Sequence, residues 1–343
     1  MTMNILNLEG THFVNFWRKT GHNVLSIGPG PNCDIQSKKI ISLKQIWSIL
    51  KKQKFYPDLV FWNDNCRLPS VIGFETLPCT CIGFSIDQYC NPWHVPYSAA
   101  FDLFLVAQKD YLPLFQKHKH LPKSEWFPLF CNPERDKDLG LKRDIPVSFV
   151  GTQDPPLNHQ RFKLLTAFKK SFPLFLATGD YVPIFARSQL VLNQSAAGEL
   201  NFRIFQAAAC GAAVLTEDTY NGLRDIFIPG QDILLYTKGD VSSALSKSKK
   251  ALSMPEKLQK IARSGQEKVV QYHAAKVRGK RIIRHAETLI RQQSHKNRLQ
   301  KQKRINQELA KCFLFISTDQ QLPLPEAQRS FYASLAQRYK SLA

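Results

Sequence analysis

Short apolar segments alternate with helical patterns along most of the chain, and this alternation restricts the fold more than any other feature. In the first part, the predicted strands are residues 3–8, 23–27, 58–62, 79–84 and 102–107, and the predicted helices are residues 13–20 and 43–53. Strands that alternate with helices form a parallel sheet that helices cover on both faces. We therefore predict a Rossmann-like α/β domain over residues 1–130.

A second alternation follows a polar, turn-rich segment at residues 131–144, which we interpret as an interdomain linker. The predicted strands are residues 146–150, 174–177, 190–193, 213–216 and 232–236, and the predicted helices are residues 161–170, 201–210, 241–252 and 256–271. They predict a second Rossmann-like domain over residues 145–290, since a chain of 343 residues commonly holds two domains. Residues 274–311 show one long helical pattern, and we expect residues 291–343 to form a basic helical tail.

The positive charge is concentrated at the C-terminal end. The formal net charge is +20, and residues 276–343 hold 15 Lys and Arg against 4 Asp and Glu. Such a surface favours anionic partners, including an anionic membrane surface, but a solubilising helical face or packing against the first domain fits the same pattern. Zinc-finger, RNA-binding and helix-turn-helix patterns are lacking, so no nucleic-acid partner is expected.

The eight cysteines lack the spacing of a zinc site, and no apolar run reaches the roughly 20 residues that a membrane span needs. We expect no metal and no cofactor. Free thiols together with the lack of a signal segment predict a cytoplasmic protein, with peripheral association at the inner face of the membrane as an alternative.

Residues 192–236 carry the clearest indication of a binding site. They read as a strand, a glycine-bearing loop, a helix, a strand, a polar loop and a further strand. A loop at the carboxyl end of a parallel strand, opening onto a helix N-terminus, suits an anion. Gly198 would let the backbone approach a ligand, and Gly211 would end the helix in a left-handed conformation.

The order of motifs in this region resembles the C-terminal half of GT-B glycosyltransferases, and most closely the CgeB-type (spore-protein) family. In chain order the motifs are SFVGT at 148–152, LNQS at 192–195, LNFRIFQA at 200–207, ACG at 209–211 and FIPGQD at 227–232. The resemblance covers about residues 145–285 well and the first domain only loosely. It implies two Rossmann-type domains that face each other across a cleft, with a nucleotide-sugar donor in the second domain. The implied activity is transfer of the sugar to an unidentified glycan, protein or lipid-linked acceptor at the first domain.

The resemblance also implies a set of donor-binding residues. They are Gly151, Arg161, Asn193, Gly198, Glu199, Asn201, Arg203, Gln206, Thr216 and Glu217. The guanidinium groups of Arg203 and Arg161 suit the oxygens of a diphosphate, although Arg203 could equally form a surface or interdomain ion pair. Asn193 and Asn201 could fix the loop geometry instead of contacting the donor.

The sequence departs from the superfamily pattern at two positions. Two glutamates flank seven other residues in that pattern, and the second normally holds the ribose hydroxyls of the donor. Here Gly198 stands at the first position, with Glu199 beside it, and Gln206 stands at the second. Glutamine can bond a hydroxyl but lacks the charge that strengthens the bond. Weak donor binding, an altered donor and lost activity are therefore alternatives, and a non-catalytic nucleotide-sugar or glycan-binding protein is the second hypothesis.

Residues 85–94 of the first domain are a polar and aromatic cluster that follows a predicted strand. Transfer with inversion needs a general base, and Asp87 or His94 could serve, while a hydrogen-bonded surface or core histidine is the alternative for His94. A retaining reaction needs chiefly stabilisation of the leaving group. The loop at residues 9–12 is where GT-B acceptors approach, with an ordinary turn as the alternative. The resemblance implies a metal-independent mechanism, in which arginine, lysine and helix dipoles neutralise the leaving nucleotide.

Overall fold

The computed structural model describes residues 2–37, 39–153 and 158–343. The chain divides into two compact units. The first unit comprises Met1–Phe127 and Gly279–Ala343, and the second comprises Pro128–Arg278. The division differs from the boundaries at 131–144 and 290 expected from sequence, because the basic C-terminal segment packs into the first unit.

A parallel sheet forms the centre of the first unit. Its strands in the described ranges, β1 to β7, are Asn4–Glu9, Asn23–Gly28, Ile35–Gln36, Leu59–Asn63, Thr80–Ser85, Leu103–Val106 and Lys123–Trp126. Their order across the sheet is β3-β2-β1-β4-β5-β6-β7. The chain therefore builds one side of the sheet outward from β1 and the other side outward from β4. Open α/β sheets bind ligands at the carboxyl ends of strands beside such a switch point.

Helices and an aromatic core cover this sheet. The helices before the second unit are α1 Val14–Lys19, α2 Leu43–Lys52, α3 His94–Tyr97 and α4 Leu112–Gln116. α2 begins with a capping box, in which Ser42 N donates to Gln45 Oε1 at 2.8 Å. All of β4 is buried, as in the apolar central strands of parallel sheets. Its Trp62 ring packs edge-on against Trp93 and Tyr97.

The second unit has its own parallel sheet. Its strands in the described part of the chain, β8 to β12, are Ile145–Val150, Phe175–Ala177, Ser188–Asn193, Ala213–Glu217 and Leu234–Tyr236. Its helices, α5 to α10, are His159–Ser171, Val182–Arg187, Phe202–Ala209, Leu223–Ile226, Val241–Leu252 and Pro255–Tyr272. The strand order is β12-β11-β10-β8-β9, so the switch point lies between β8 and β10. α7 ends before Gly211, whose φ of 78° confirms the predicted left-handed conformation.

The C-terminal segment contains four helices in the described ranges, and the first three divide the region 274–311 that the sequence predicted as one long helical pattern. They are α11 Ala275–Arg291, α12 Ser294–Gln300, α13 Gln302–Thr318 and α14 Glu326–Ser341. The fourth contains most of the helical period that the sequence predicts at residues 331–342. Gln293, in a left-handed conformation with φ 52°, separates α11 from α12. Side chains of α13 and α14, including Phe313 and Tyr339, join the core of the first unit. None of the helices in the described ranges is both long and apolar enough to cross a membrane.

Candidate donor site

The predicted donor residues gather where β8, β10 and α7 meet in the second unit. Gly151 follows β8, Asn193 ends β10, and Arg203 lies in the first turn of α7. Residues 194–201, here called the donor loop, connect β10 to α7. Because β8 and β10 flank the switch point of this sheet, the fold brings these residues to the position where such sheets bind ligands.

The Arg203 guanidinium is held by neutral groups. Its Nε donates to Val150 O at 2.8 Å and its Nη1 to Asn193 Oδ1 at 2.7 Å. Its centre lies 4.2 Å from the Phe149 ring centroid, close enough for a cation–π contact. Burial, with a smaller contribution from the charge of Arg161, lowers the pKa of Arg203 to about 9, so the group stays charged at neutral pH. In the described part of the chain Arg203 forms no ion pair with a carboxylate, so its charge is not neutralised by direct contact.

Arg161 approaches the same place from α5. Its Nε donates to Gln194 Oε1 at 3.0 Å and its Nη1 to Thr152 O at 3.0 Å. Its guanidinium lies 5.6 Å from the Phe149 ring, which Arg203 also contacts. Two guanidinium groups thus converge at the switch point. This arrangement suits two phosphate groups, since arginine forms paired hydrogen bonds with phosphate oxygens.

Two glycines leave space for basic side chains at this site. A Cβ at Gly151 would collide with Nη2 of Arg203, so the guanidinium occupies room that only glycine leaves. Gly198 has a φ of 84°, and the Lys238 Nζ lies 3.0 Å from the place a Cβ would take. Lys238 is not among the donor-binding residues predicted from the sequence. Its indication was a Thr-Lys-Gly turn immediately after β12, because loops at strand ends carry ligand contacts.

The two predicted donor-binding glutamates hold the loops in position. Glu217 Oε2 accepts from Ser195 N at 3.1 Å and Ser195 Oγ at 2.8 Å, and its Oε1 accepts from Gly239 N at 3.1 Å. The Glu199 carboxylate accepts from two backbone amides of the donor loop, at 2.9 and 2.7 Å. Both side chains are buried. Their carboxylates therefore support the donor loop from within, where sequence reasoning expected direct donor contacts.

The remaining predicted residues differ in exposure. Asn193 and Thr216 are buried and joined by a 2.8 Å hydrogen bond from Nδ2 to Oγ1, which ties the ends of β10 and β11. Gln206 is partly exposed and lies one turn after Arg203 on α7. Asn201 precedes α7, and its buried Oδ1 has no hydrogen-bond partner among the described residues. The structure thus leaves the side chains of Arg203, Gln206 and Asn201 with capacity for a ligand.

In the first unit, the predicted general bases lie in different surroundings. The His94 side chain is fully buried, with its Nδ1 2.8 Å from Ser85 Oγ and its ring 4.1 Å from that of Trp93. Burial lowers the pKa of His94 to about 3. An acceptor cannot reach this ring in the present structure, so His94 is a core histidine and the general-base hypothesis for it is corrected. Asp87 is only partly buried, and its Oδ2 accepts from Cys66 Sγ at 2.9 Å.

Asp64 is a further carboxylate of this unit that was not predicted from the sequence. It follows β4 at the switch point of the first sheet, where its carboxylate accepts from Cys66 N and Ile86 N, both at 2.8 Å. Burial raises the pKa of Asp64 to about 7. The polar run Asn-Asp-Asn directly after an apolar strand could have indicated it. At the end of the neighbouring strand β1, Glu9 is buried and accepts from Ser70 N at 2.6 Å.

The chain also contains one Asp-x-Asp pair, Asp136 and Asp138, in the segment predicted as a linker. Asp136 accepts from Tyr181 OH at 2.7 Å and from Asn132 N at 2.7 Å. Asp138 pairs with Arg143 at 2.7 Å. Both carboxylates have protein partners outside the donor loop.

Comparisons with known proteins agree with this architecture. Residues 139–284 match the family model described as glycosyl transferase-like. A curated protein with a matching sequence was not found. The matched segment contains β8 to β12 and the donor loop, and it is less than half of the chain.

Solved structures extend the likeness over most of the chain. A glycosyltransferase from Rickettsia africae superimposes with a TM-score of 0.64 at 11% identity, covering 84% of this chain and 99% of the other. HepE from Anabaena, solved with UDP-glucose, gives 0.60 at 14% identity, covering 84% and 100%. A sucrose-phosphate synthase from Thermosynechococcus elongatus gives 0.57 at 12% identity, covering 83% and 99%.

At such low identities, the structural likeness shows the fold. The closer resemblance to the CgeB-type family stays a prediction, since the matches support only the broader group. The chain therefore has a GT-B fold, and residues 139–284 match the family described as glycosyl transferase-like.

Proposed function

We propose that this protein is a glycosyltransferase that moves a sugar from a nucleotide-sugar donor to an acceptor that is still to be identified. The observation that carries the proposal is the pair of guanidinium groups, Arg203 and Arg161, at the switch point of the second sheet. The family match over the same residues supports it. UDP-sugars are the first donors to try, because HepE was solved with UDP-glucose.

In this proposal the second unit binds the donor. Arg203 and Arg161 contact the diphosphate, and Gln206 donates or accepts a hydrogen bond with a ribose hydroxyl. Lys238, beside Gly198, adds a third positive charge near the donor loop. Positive charge fixed before the reaction stabilises the leaving nucleoside diphosphate, so the mechanism proposed is metal-independent.

The proposed acceptor side is the first unit, where Asp87 and Asp64 follow neighbouring strands. A carboxylate there could take the proton of the attacking hydroxyl in an inverting transfer. Burial raises the pKa of Asp64 to about 7, but its carboxylate is as inaccessible to an acceptor as the His94 ring, so Asp64 is not proposed as the base. Asp87 is the more exposed of the two and is the candidate. Asp87→Asn should lower kcat without weakening donor binding, and an unchanged kcat would argue against this role.

The test of the donor site is thermal stabilisation by a panel of UDP-, GDP-, ADP- and CMP-sugars. A donor at one hundred times its Kd should stabilise the folded protein by about 2.7 kcal/mol. We expect one nucleotide class to raise Tm, and we expect Arg203→Gln and Gln206→Ala to reduce that rise.

The matched control is Arg263→Gln, which removes one positive charge from an exposed site of the second unit. It should leave the response unchanged. If no donor raises Tm of the folded protein, or if Arg263→Gln weakens the response as much as Arg203→Gln, the proposed donor site is wrong.

A non-catalytic nucleotide-sugar or glycan-binding protein is the second candidate, and Gln206 is the residue that favours it. A neutral amide forms a weaker bond to a ribose hydroxyl than a carboxylate does. Donor binding without release of nucleoside diphosphate, in the presence of a panel of acceptors, would support this candidate. Gln206→Glu should then tighten donor binding, whereas transfer by the unaltered protein would exclude the candidate.

A lipid-linked acceptor and peripheral membrane contact form a further part of the proposal, motivated by the charge of residues 276–343. Cosedimentation with phosphatidylglycerol vesicles, lost as salt rises, would support it. Equal sedimentation with phosphatidylcholine vesicles would argue against it.

A further inference from the structure

The first unit has a cavity of about 240 Å³. None of the described residues that line it belongs to the donor loop or to the second unit. Phe101, Leu121 and Ile305 contribute apolar surface, and His120, Lys301 and Arg304 contribute basic groups. Phe101 and Leu121 precede β6 and β7, so the cavity lies at the amino ends of these strands. The switch point of this sheet lies at the opposite, carboxyl ends of β1 and β4. The cavity is therefore separate from the proposed acceptor site.

Arg304 is oriented toward the cavity by neutral groups. Its Nη2 donates to His120 Nδ1 at 3.4 Å, and its Nη1 donates to Gln307 Oε1 at 3.2 Å. His120 Nε2 in turn lies 3.1 Å from Glu308 Oε1. Because an arginine can only donate, Nδ1 is the acceptor and Nε2 carries the proton that bonds Glu308. This chain of hydrogen bonds orients the Arg304 guanidinium, and the carboxylate of Glu308 does not contact the guanidinium directly.

Lys301 adds a second uncompensated charge. Neither Lys301 nor Arg304 forms an ion pair with a carboxylate among the residues that the structure describes. Both lie at the beginning of α13, whose first turn contains no acidic residue. The N-terminus of a helix carries a partial positive charge, which repels nearby cations such as these two side chains. An anion in the adjacent cavity would offset that repulsion.

The interior of the cavity adds little net charge. Arg298 pairs with Asp102 through Nε and Oδ1 at 3.2 Å, and both side chains are almost fully buried. Lys123 also lines the cavity and pairs with Glu125 at 2.7 Å. The remaining positive charge comes from Lys301 and Arg304 at the opening. The lining thus combines apolar side chains with polar and basic ones. Such a lining is complementary to a small apolar group that carries a phosphate.

We propose that this cavity binds an organic phosphate, with the phosphate at Arg304 and Lys301 and a small apolar group against Phe101, Leu121 and Ile305. The site is independent of the proposed glycosyl transfer, and its ligand would be a modulator or an anchoring group. A free phosphate monoester and a phospholipid headgroup present the same chemistry, so the experiment includes both.

The probe in solution is phenyl phosphate, titrated calorimetrically into the full chain. We expect saturable binding that is tighter than that of inorganic phosphate, because phenyl phosphate alone also fills the apolar part. Arg304→Gln and Lys301→Gln should each raise Kd by about tenfold, the value of one charge-assisted hydrogen bond. Arg304→Lys should have an intermediate Kd, since lysine keeps the positive charge but cannot donate the two parallel hydrogen bonds of a guanidinium.

The matched control is Lys303→Gln, which removes a positive charge from the same helical turn but does not line the cavity. It should leave Kd nearly unchanged. Lys301, Lys303 and Arg304 are exposed, so their variants should fold, and far-UV circular dichroism checks this. Arg203→Gln in the second unit should also leave Kd unchanged, which separates this site from the donor site.

The second arm uses vesicles of phosphatidylcholine with and without phosphatidic acid. Binding that needs phosphatidic acid and Arg304, and that phenyl phosphate displaces, would identify a lipid headgroup as the ligand. Binding of phenyl phosphate alone would identify a soluble ligand. The proposal is overturned if neither probe binds, or if Lys303→Gln weakens binding as much as Arg304→Gln.

Discussion

At the scale of single residues, the hydrogen-bond partners of each charged side chain decide what it can do. The carboxylates of Glu217 and Glu199 accept hydrogen bonds from backbone amides of the donor loop and of the turn after β12. Arg203 and Arg161 donate hydrogen bonds to neutral carbonyl and amide oxygens, which orient each guanidinium. Among the described residues, no carboxylate forms an ion pair with Arg203. An anionic ligand at this site would therefore meet positive charge that is already in place.

Gly151 is a single-residue test of this arrangement. A methyl group there would displace the Arg203 guanidinium, so Gly151→Ala should abolish most of the donor-induced rise in Tm and cost about 1–3 kcal/mol of stability. Thermal unfolding with and without donor measures both effects. Gly179→Ala is the control, because Gly179 also has a positive φ but nothing lies within 4 Å of the added Cβ. Equal effects of both variants on the donor response would contradict the assignment.

His94 predicts a pH dependence of stability. Its pKa is lowered by burial to about 3, whereas in the unfolded chain it is near 6.5. The unfolded state alone therefore takes up this proton below pH 6.5, and stability is lost as pH falls toward 3. His94 should contribute a slope of up to about 1.4 kcal/mol per pH unit in this window.

Urea unfolding from pH 7 to pH 4, followed by tryptophan fluorescence, measures the slope. His94→Asn should reduce it, while His118→Asn, which alters an exposed histidine of the same unit, should leave it unchanged. An identical slope in both variants and in the unaltered chain would contradict the prediction. It would show that His94 takes up its proton over the same pH range in the folded and the unfolded state.

At the scale of elements, the C-terminal helices complete the core of the first unit. The buried Arg298 of α12 donates to the carbonyls of Leu77 at 3.0 Å and Cys79 at 2.6 Å, and also to that of Glu75. Tyr339 of α14 donates to Glu75 Oε1 at 2.7 Å. These bonds join α12 and α14 to the segment that leads into β5. The C-terminal helices therefore pack into the first unit through one face and carry exposed basic side chains on the other.

Arg298→Met tests this element. It would leave the buried carbonyls of Leu77 and Cys79 without the Arg298 donor and Asp102 without its ion-pair partner, while the Glu75 carbonyl keeps Gln302 Nε2. This should cost about 3–5 kcal/mol of stability in the first unit. Urea unfolding followed by tryptophan fluorescence measures the loss. Lys296→Met, an exposed change on the same helix, should cost little. Comparable losses in the two variants would mean that the Arg298 bonds do not stabilise the unit.

At the scale of the whole molecule, the two units have separate hydrophobic cores. One core contains Trp62, Phe104 and residues of α13 and α14, and the other contains Phe149, Leu192 and Leu215. All five tryptophans, at positions 17, 47, 62, 93 and 126, belong to the first unit. Tryptophan fluorescence therefore reports the unfolding of the first unit alone, whereas far-UV circular dichroism reports both units.

The proposed donor should distinguish the two units during unfolding. A bound nucleotide sugar should raise the transition seen by circular dichroism and leave the tryptophan transition nearly unchanged, because ligand stabilises only the unit that holds it. Arg203→Gln should remove the difference. Coincident transitions that shift together with donor would contradict independent unfolding of the units.

Much of the fold could be predicted because its signals are local. Continuous apolar runs such as β4 and β10 indicated buried parallel strands, and Gly211 indicated the end of α7. β3 and β7 were not predicted. β3 has only two residues, and β7 (Lys-Ser-Glu-Trp) is a polar edge strand without an apolar run. The division of residues 274–311 was missed because Gln293 is not a usual left-handed residue.

The sequence by itself determined the α/β class, the GT-B resemblance and the gathering of Arg203, Asn193 and Gly151, because periodicity and motif order are properties of neighbouring residues. Only the tertiary structure decided that His94 is buried, that Glu217 and Glu199 hold loops, and that the basic C-terminal helices belong to the first unit. The physical reason is that burial and hydrogen-bond partners come from residues distant in the chain. Arg298, for example, finds its carbonyl partners more than 200 positions away, and no local pattern records such a contact.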